Sequence, residues 1–210
     1  MLGKIGKSAK AEEIFQILLK QTNDESTMGS IYHRFGVMKH AQVMHREAIA
    51  DLQKSIKTKE KQIPCDQQSL ASSYNAIGKV YDSAGDYKEA LSSHERALKI
   101  QQGSLPNTHP DLALSYNNIG LVYDSMGDYP KALSSHEKAL AIKQRSLPPT
   151  HPHLSASCNS MGVVHENIGN YSKAHSCYER AVDIAQRSLP TNHPRLQGYR
   201  NKLARIKNKL

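Results

Sequence analysis

The sequence has no tryptophan, only two phenylalanines and only three cysteines in 210 residues. So few large rings cannot fill one thick core, and any core is shallow and repeated. Cys65, Cys158 and Cys177 are odd in number and have no paired spacing. That argues against a disulfide framework and suits a reducing compartment. No apolar run reaches the length of a transmembrane helix, and the N-terminus lacks the apolar stretch of a secretory signal. A soluble, cytoplasmic protein is expected.

Catalytic signatures are missing too. The chain has no phosphate-cradling glycine loop, no His-Glu-x-x-His and no Gly-x-Ser-x-Gly. His94-Glu95, His136-Glu137 and His165-Glu166 are bare dipeptides. His109, His151 and His193 stand 42 residues apart, too far to share an ion, and the cysteines add no ligand spacing. No enzyme activity, metal or cofactor is expected.

The net charge of +9 is not spread along the chain. Residues 1–68 carry 11 basic and 8 acidic side chains, and 69–110, 111–152 and 153–194 are each balanced. The last sixteen residues hold Arg195, Arg200, Lys202, Arg205, Lys207 and Lys209 with no acid. A nucleic-acid surface needs charge along its whole length, so nucleic acid is not the expected partner.

What the sequence does have is a period of 42 residues. Segment 69–110 matches 111–152 at 30 of 42 positions, and 111–152 matches 153–194 at 20 of 42. Within 111–152, Tyr116, Ile119, Gly120 and Tyr123 share one helical face. Gly127-Asp128-Tyr129 interrupts, the glycine suiting a left-handed helix terminus, and Ala132, Leu133, His136, Ala139 and Leu140 resume the spacing. Each unit is therefore two antiparallel helices. Asp66, Thr108, Thr150 and Asn192 hold one register ahead of each first helix and are the expected N-caps, with proline two residues later in the last three.

The pattern Tyr116, Ile119-Gly120, Tyr123, Ala132, His136, Ala139 resembles the tetratricopeptide consensus. The long period, with the linker from Ser146 to Pro152, is similar to the repeats of kinesin light chains. The resemblance implies an all-α, right-handed solenoid of helical hairpins whose first helices line a concave peptide groove. The expected organisation is a partial repeat at 1–28, with a second helix from about Ser8 to Gln21, and a degenerate repeat at 29–68. Full repeats follow at 69–110, 111–152 and 153–194, with a basic capping helix at 195–210. A chain that opens inside a repeat is expected to be a fragment. Kinesin light chains also carry a heptad segment, and none occurs here. Similar arrays are attached to ADP-ribosyltransferase or nucleotide-binding domains, which leaves a regulatory appendage of a larger enzyme as an alternative.

Opposite the expected core, each first helix carries a second set at i, i+4 and i+7. These are His33, Val37 and His40; Asn75, Lys79 and Asp82; Asn117, Leu121 and Asp124; and Asn159, Val163 and Glu166. Asparagine is a weak helix former, so three in register call for a role, and an amide can hold a peptide backbone through both donor and acceptor. By the resemblance, Asn118 completes an asparagine pair in the third unit, which Ala76 and Ser160 do not. The acidic row of Asp82, Asp124 and Glu166 favours a neutral or basic peptide. The basic C-terminal helix, with its stripe of Leu196, Tyr199, Leu203, Ile206 and Leu210, is a solubilising cap or a dock for an acidic partner. An apolar N-terminal face could pair two copies of the chain.

Overall fold

The computed structural model describes residues 13–22 and 24–210. The starting residues of the expected first helix, from Ser8, lie outside them. Among the described residues all regular structure is helical, and the chain divides into two compact units, one ending at Ser104 and one beginning at Leu105. No helix among the described residues is long and apolar enough to cross a membrane.

The first unit contains α1 (13–21), α2 (Glu25–Ala41), α3 (His45–Glu60), α4 (Gln67–Ala84) and α5 (Tyr87–Ser104). α2 pairs with α3 and α4 with α5. Its core runs through both hairpins: Ala48, Leu52, Leu70, Ala71, Tyr74, Ile77, Val80 and Ala97 are all buried. α1 packs Phe15 edge-on against Phe35, ring centres 5.1 Å apart, and leaves Ile14, Ile17 and Leu18 exposed.

The second unit contains α6 (Pro110–Ser125), α7 (Tyr129–Ser146), α8 (Pro152–Asn167), α9 (Tyr171–Gln186) and α10 (Pro194–Lys207). α6 pairs with α7, α8 with α9, and α10 lies on α9. Leu196, Tyr199 and Ile206 of the expected stripe are buried, while Leu203 is half-buried. Leu210 is exposed, because the helix ends at Lys207 and the stripe loses its period there.

Each hairpin closes on a missing side chain. A Cβ on Gly78 would come within 2.7 Å of the His94 ring, one on Gly120 within 2.8 Å of His136, and one on Gly162 within 2.6 Å of Tyr178. Only a bare α-carbon lets the second helix lay its aromatic across the first. His94 and His136 are consequently deep in the core, both buried to about 1% exposure.

The hairpin turns follow the glycine reading. Gly85, Gly127 and Gly169 have φ of 85°, 75° and 83°. In the same register the first hairpin has Val43 at φ 64°, a conformation unfavourable for a branched side chain.

Helix starts depart from expectation by one residue. Asp66 caps α4, its carboxylate accepting from the Ser69 N–H at 3.0 Å. At the next three starts the cap is the histidine, not Thr108, Thr150 or Asn192. Nδ1 of His109, His151 and His193 accepts from the N–H of Asp111, His153 and Arg195 at 3.2, 3.1 and 3.2 Å. Proline is the first helical residue in each case, so the cap is the extended residue directly before it.

Candidate groove on the first helices

In the first unit two of the expected groove residues, His33 and Asn75, turn to internal bonds. His33 Nδ1 lies 3.1 Å from Ser73 Oγ. Ser73 is also bound by Lys59 Nζ at 2.8 Å, and burial draws the Lys59 ammonium down to about 8. Burial likewise holds the His33 imidazole down at about 4, so it is neutral at physiological pH. Val37 and Lys79 are exposed. His40 lies beside His45, with rings 5.8 Å apart and neither Nδ1 hydrogen-bonded.

Asn75 differs from the sequence reading. It is buried, and its Oδ1 lies 2.8 Å from His94 Nδ1. Its amide therefore serves the hairpin. Asp82 is half-buried, and burial pushes its carboxyl above the usual range.

The second unit gives the register two other outcomes. Asn159 accepts from Lys202 Nζ at 3.0 Å, so α10 covers it. Glu166 receives Arg205 at 2.8 Å, Lys209 at 3.3 Å and the Tyr178 hydroxyl at 3.0 Å. Those donors hold its carboxyl below the ordinary value against an opposing effect of burial. Part of the basic C-terminal cluster is thus neutralised within the unit. Val163 packs half-buried beside Tyr178 and Ile206, and Asp124 accepts from Asn167 Nδ2 at 3.0 Å. Asn118 points inward: it is buried, with Nδ2 unbonded.

Asn117 remains. It is half-buried and lines a cleft of about 260 Å3 with Pro110, Asp111, Leu114, Lys143, Leu147 and His153. α6 supplies the wall with Leu114 and Asn117, the end of α7 supplies Lys143, and the start of α8 supplies His153. Leu121, one turn beyond Asn117, is exposed. Lys143 Nζ donates to Ser157 Oγ at 2.8 Å, and burial lowers its pKa. His153 is lowered first by burial, then by the nearby charges of His151, Lys143 and Arg195.

The sequence matches the Tetratricopeptide repeat family over residues 27–103, 69–145 and 111–187. The chain belongs to the tetratricopeptide repeat family. No curated protein sequence matches it. Among solved structures it is similar to BtubC (BKLC) from P. vanneervenii, at 18% identity over 98% of this chain and 82% of that one, with a TM-score of 0.82. A kinesin-light-chain-like protein of Podosopora anserina with nearly identical TPR-like repeats is 22% identical over 90% and 89% of the two chains, TM-score 0.76. The apo form of RapI is 17% identical over 98% and 79%, TM-score 0.77. At these identities the likeness is one of fold.

Within these tetratricopeptide repeats, Leu114, Leu147 and His153 were not among the residues singled out by spacing. Lys143 falls at the end of an apolar run and Leu114 has Ser72 in its register. The recurring pairs Lys59 with Ser73 and Lys143 with Ser157 were the available signal. Among the described residues no three histidine, cysteine or acidic side chains come together as a metal site.

Proposed function

We propose that the chain is a non-catalytic protein-interaction scaffold whose second unit holds an extended peptide along its first-helix face. Asn117 carries this reading. Of the three asparagines in register, it alone makes no hydrogen bond within the described protein and faces an open cleft. Its amide can bind a peptide C=O and N–H together, irrespective of side chain. Leu114 and Leu147 offer the apolar surface for one aliphatic side chain beside it. Glu166 is compensated by Arg205 and Lys209, and in the cleft wall the Asp111 carboxylate is balanced by the Lys143 cation, so the segment we propose is uncharged where it crosses Asn117.

A peptide library panned against the full chain tests this. Enriched sequences should share an aliphatic residue in an uncharged stretch and lose about tenfold in affinity for Asn117→Ala, the cost of one to two hydrogen bonds. Peptides that bind Asn117→Ala and Leu114→Asp as tightly as the wild type would place the groove elsewhere.

A further inference from the structure

One register of the second helices carries a cation in every hairpin: Lys54, Arg96, Lys138 and Arg180. In three hairpins that cation lies over a tyrosine ring of the preceding first helix. Lys54 Nζ is 5.4 Å from the Tyr32 ring centre, the Arg96 guanidinium 4.7 Å from Tyr74, and Lys138 Nζ 5.6 Å from Tyr116. In the fourth hairpin the tyrosine position is Cys158, and Arg180 has no ring beneath it. Arg180 makes no ion pair, hydrogen bond or ring contact among the described residues.

The second hairpin shows how a phenol is held there, beside a cleft of about 340 Å3 that Glu60, Tyr74 and Arg96 border. The Tyr74 hydroxyl donates to Glu60 at 2.6 Å, and Arg96 covers the ring and reaches Glu60 at 3.7 Å. The phenol thus lies between a cation above and a side-chain oxygen at its tip. Glu60 and Arg96 correspond in register to Gln144 and Arg180. In the fourth hairpin those two residues border a cleft of about 240 Å3, whose remaining wall includes Leu140, Leu147, Leu154 and Ile184. Gln144 and Arg180, the register equivalents of the two groups that clasp the phenol in the second hairpin, thus both face this cavity. Burial pushes the Cys158 and Cys177 thiols up, and the Arg180 charge partly offsets this.

We propose that this cleft, on the second-helix side of the fourth repeat, is a receptor for a tyrosine side chain presented by a protein partner. The ring enters under the Arg180 guanidinium against Leu140 and Leu154, and its hydroxyl donates to the Gln144 amide oxygen. The cleft is lined from α7, α8, α9 and the linker between α7 and α8, and of its lining only Leu147 is shared with the Asn117 groove. A tyrosine fits better than an aliphatic side chain because the site offers a cation for the ring face and an acceptor for the hydroxyl. Three hairpins of the same chain have selected that ring for the equivalent space.

N-acetyl-tyrosinamide titrated into the full chain with methyl-labelled leucine and isoleucine tests the assignment. Saturable shifts are expected at the methyls of Leu140, Leu154 and Ile184, and none with N-acetyl-leucinamide. Arg180→Ala, at an exposed position, should weaken binding about fivefold or more through loss of the cation above the ring. Cys158→Tyr should abolish binding by filling the cleft with the chain's own phenol. Should Cys158→Tyr fail to fold, the Arg180→Ala comparison decides alone. Unmoved methyls at saturating probe, equal shifts from the leucine probe, or unchanged affinity in Arg180→Ala would overturn the proposal. Asn117→Ala, a change outside the lining of this cleft, would leave all of these outcomes as they are.

Discussion

Replacing Val43 by glycine should make the protein more stable, although it removes a side chain. Val43 closes the first hairpin at φ 64°, in the register where Gly85, Gly127 and Gly169 close the others. A left-handed conformation costs an L-residue about 1–2 kcal/mol because Cβ crowds the following carbonyl oxygen. The valine side chain is 72% exposed, so little burial is lost with it. Glycine's extra freedom in the unfolded chain takes back about 0.5–1 kcal/mol. The net gain is about 0.5–1 kcal/mol, or roughly 2–3 °C in Tm for a chain of this size. Far-UV circular dichroism during thermal and urea unfolding reads it directly. Val43→Ala, which keeps Cβ, should recover less than half, and Gly85→Val should lose about as much as the strain it introduces. A Val43→Gly variant no more stable than the wild type, or an alanine variant equal to it, would refute the argument from backbone conformation.

Acidification should weaken the fold through its buried imidazoles, His94 and His136 being the most enclosed. Burial holds His94 and His136 down at about 4, below the unfolded value of 6.5, so the unfolded chain binds more protons between those limits. Stability is then complete above about pH 6.5, falls as pH drops towards 4 and loses roughly 3 kcal/mol per imidazole over that window. Urea midpoints against pH should show the slope, and a His94→Phe, His136→Phe double variant that retains it in full would refute this assignment. Gly120→Ala should cost about 1–3 kcal/mol, because its methyl meets the His136 ring at 2.8 Å. His136→Ala in the same chain should restore part of that loss, and a Gly120→Ala variant as stable as the wild type would rule out the close packing. Glu166→Ala removes the acceptor of Arg205, Lys209 and the Tyr178 hydroxyl. Faster hydrogen exchange in α10 than in α8 is the expected result, and unchanged protection would show that burial of Leu196 and Ile206 suffices to hold the helix.

Local chemistry was legible in the sequence, and chemistry completed by a distant residue was not. The 42-residue period, the paired helices and the glycine turns depend on neighbours a few positions away, and they stand as read. The cap moved by one residue because proline fixes the first helical position and forces the residue before it into the extended conformation. Asn75, Asn117 and Asn159 occupy one register of the repeat yet differ in role. One meets His94, one faces a cleft and one meets Lys202, and those partners lie 19 to 43 residues away. Spacing places a side chain on a helix face and leaves open what stands opposite it. The row of Lys54, Arg96, Lys138 and Arg180 likewise looks like ordinary solvated charge until the rings beneath the first three are seen.

The histidine and proline at the last three linkers define where a helix begins without help from any distant part of the chain. A unit bounded by such punctuation behaves as a cassette: it can be duplicated, deleted or exchanged and still carry its own start and stop. The 30 shared positions out of 42 between residues 69–110 and 111–152 are the residue of that copying. Divergence between copies is then free to fall on the few places that decide what each one grips, such as the exchange of a tyrosine for Cys158, while the framework around them is inherited whole.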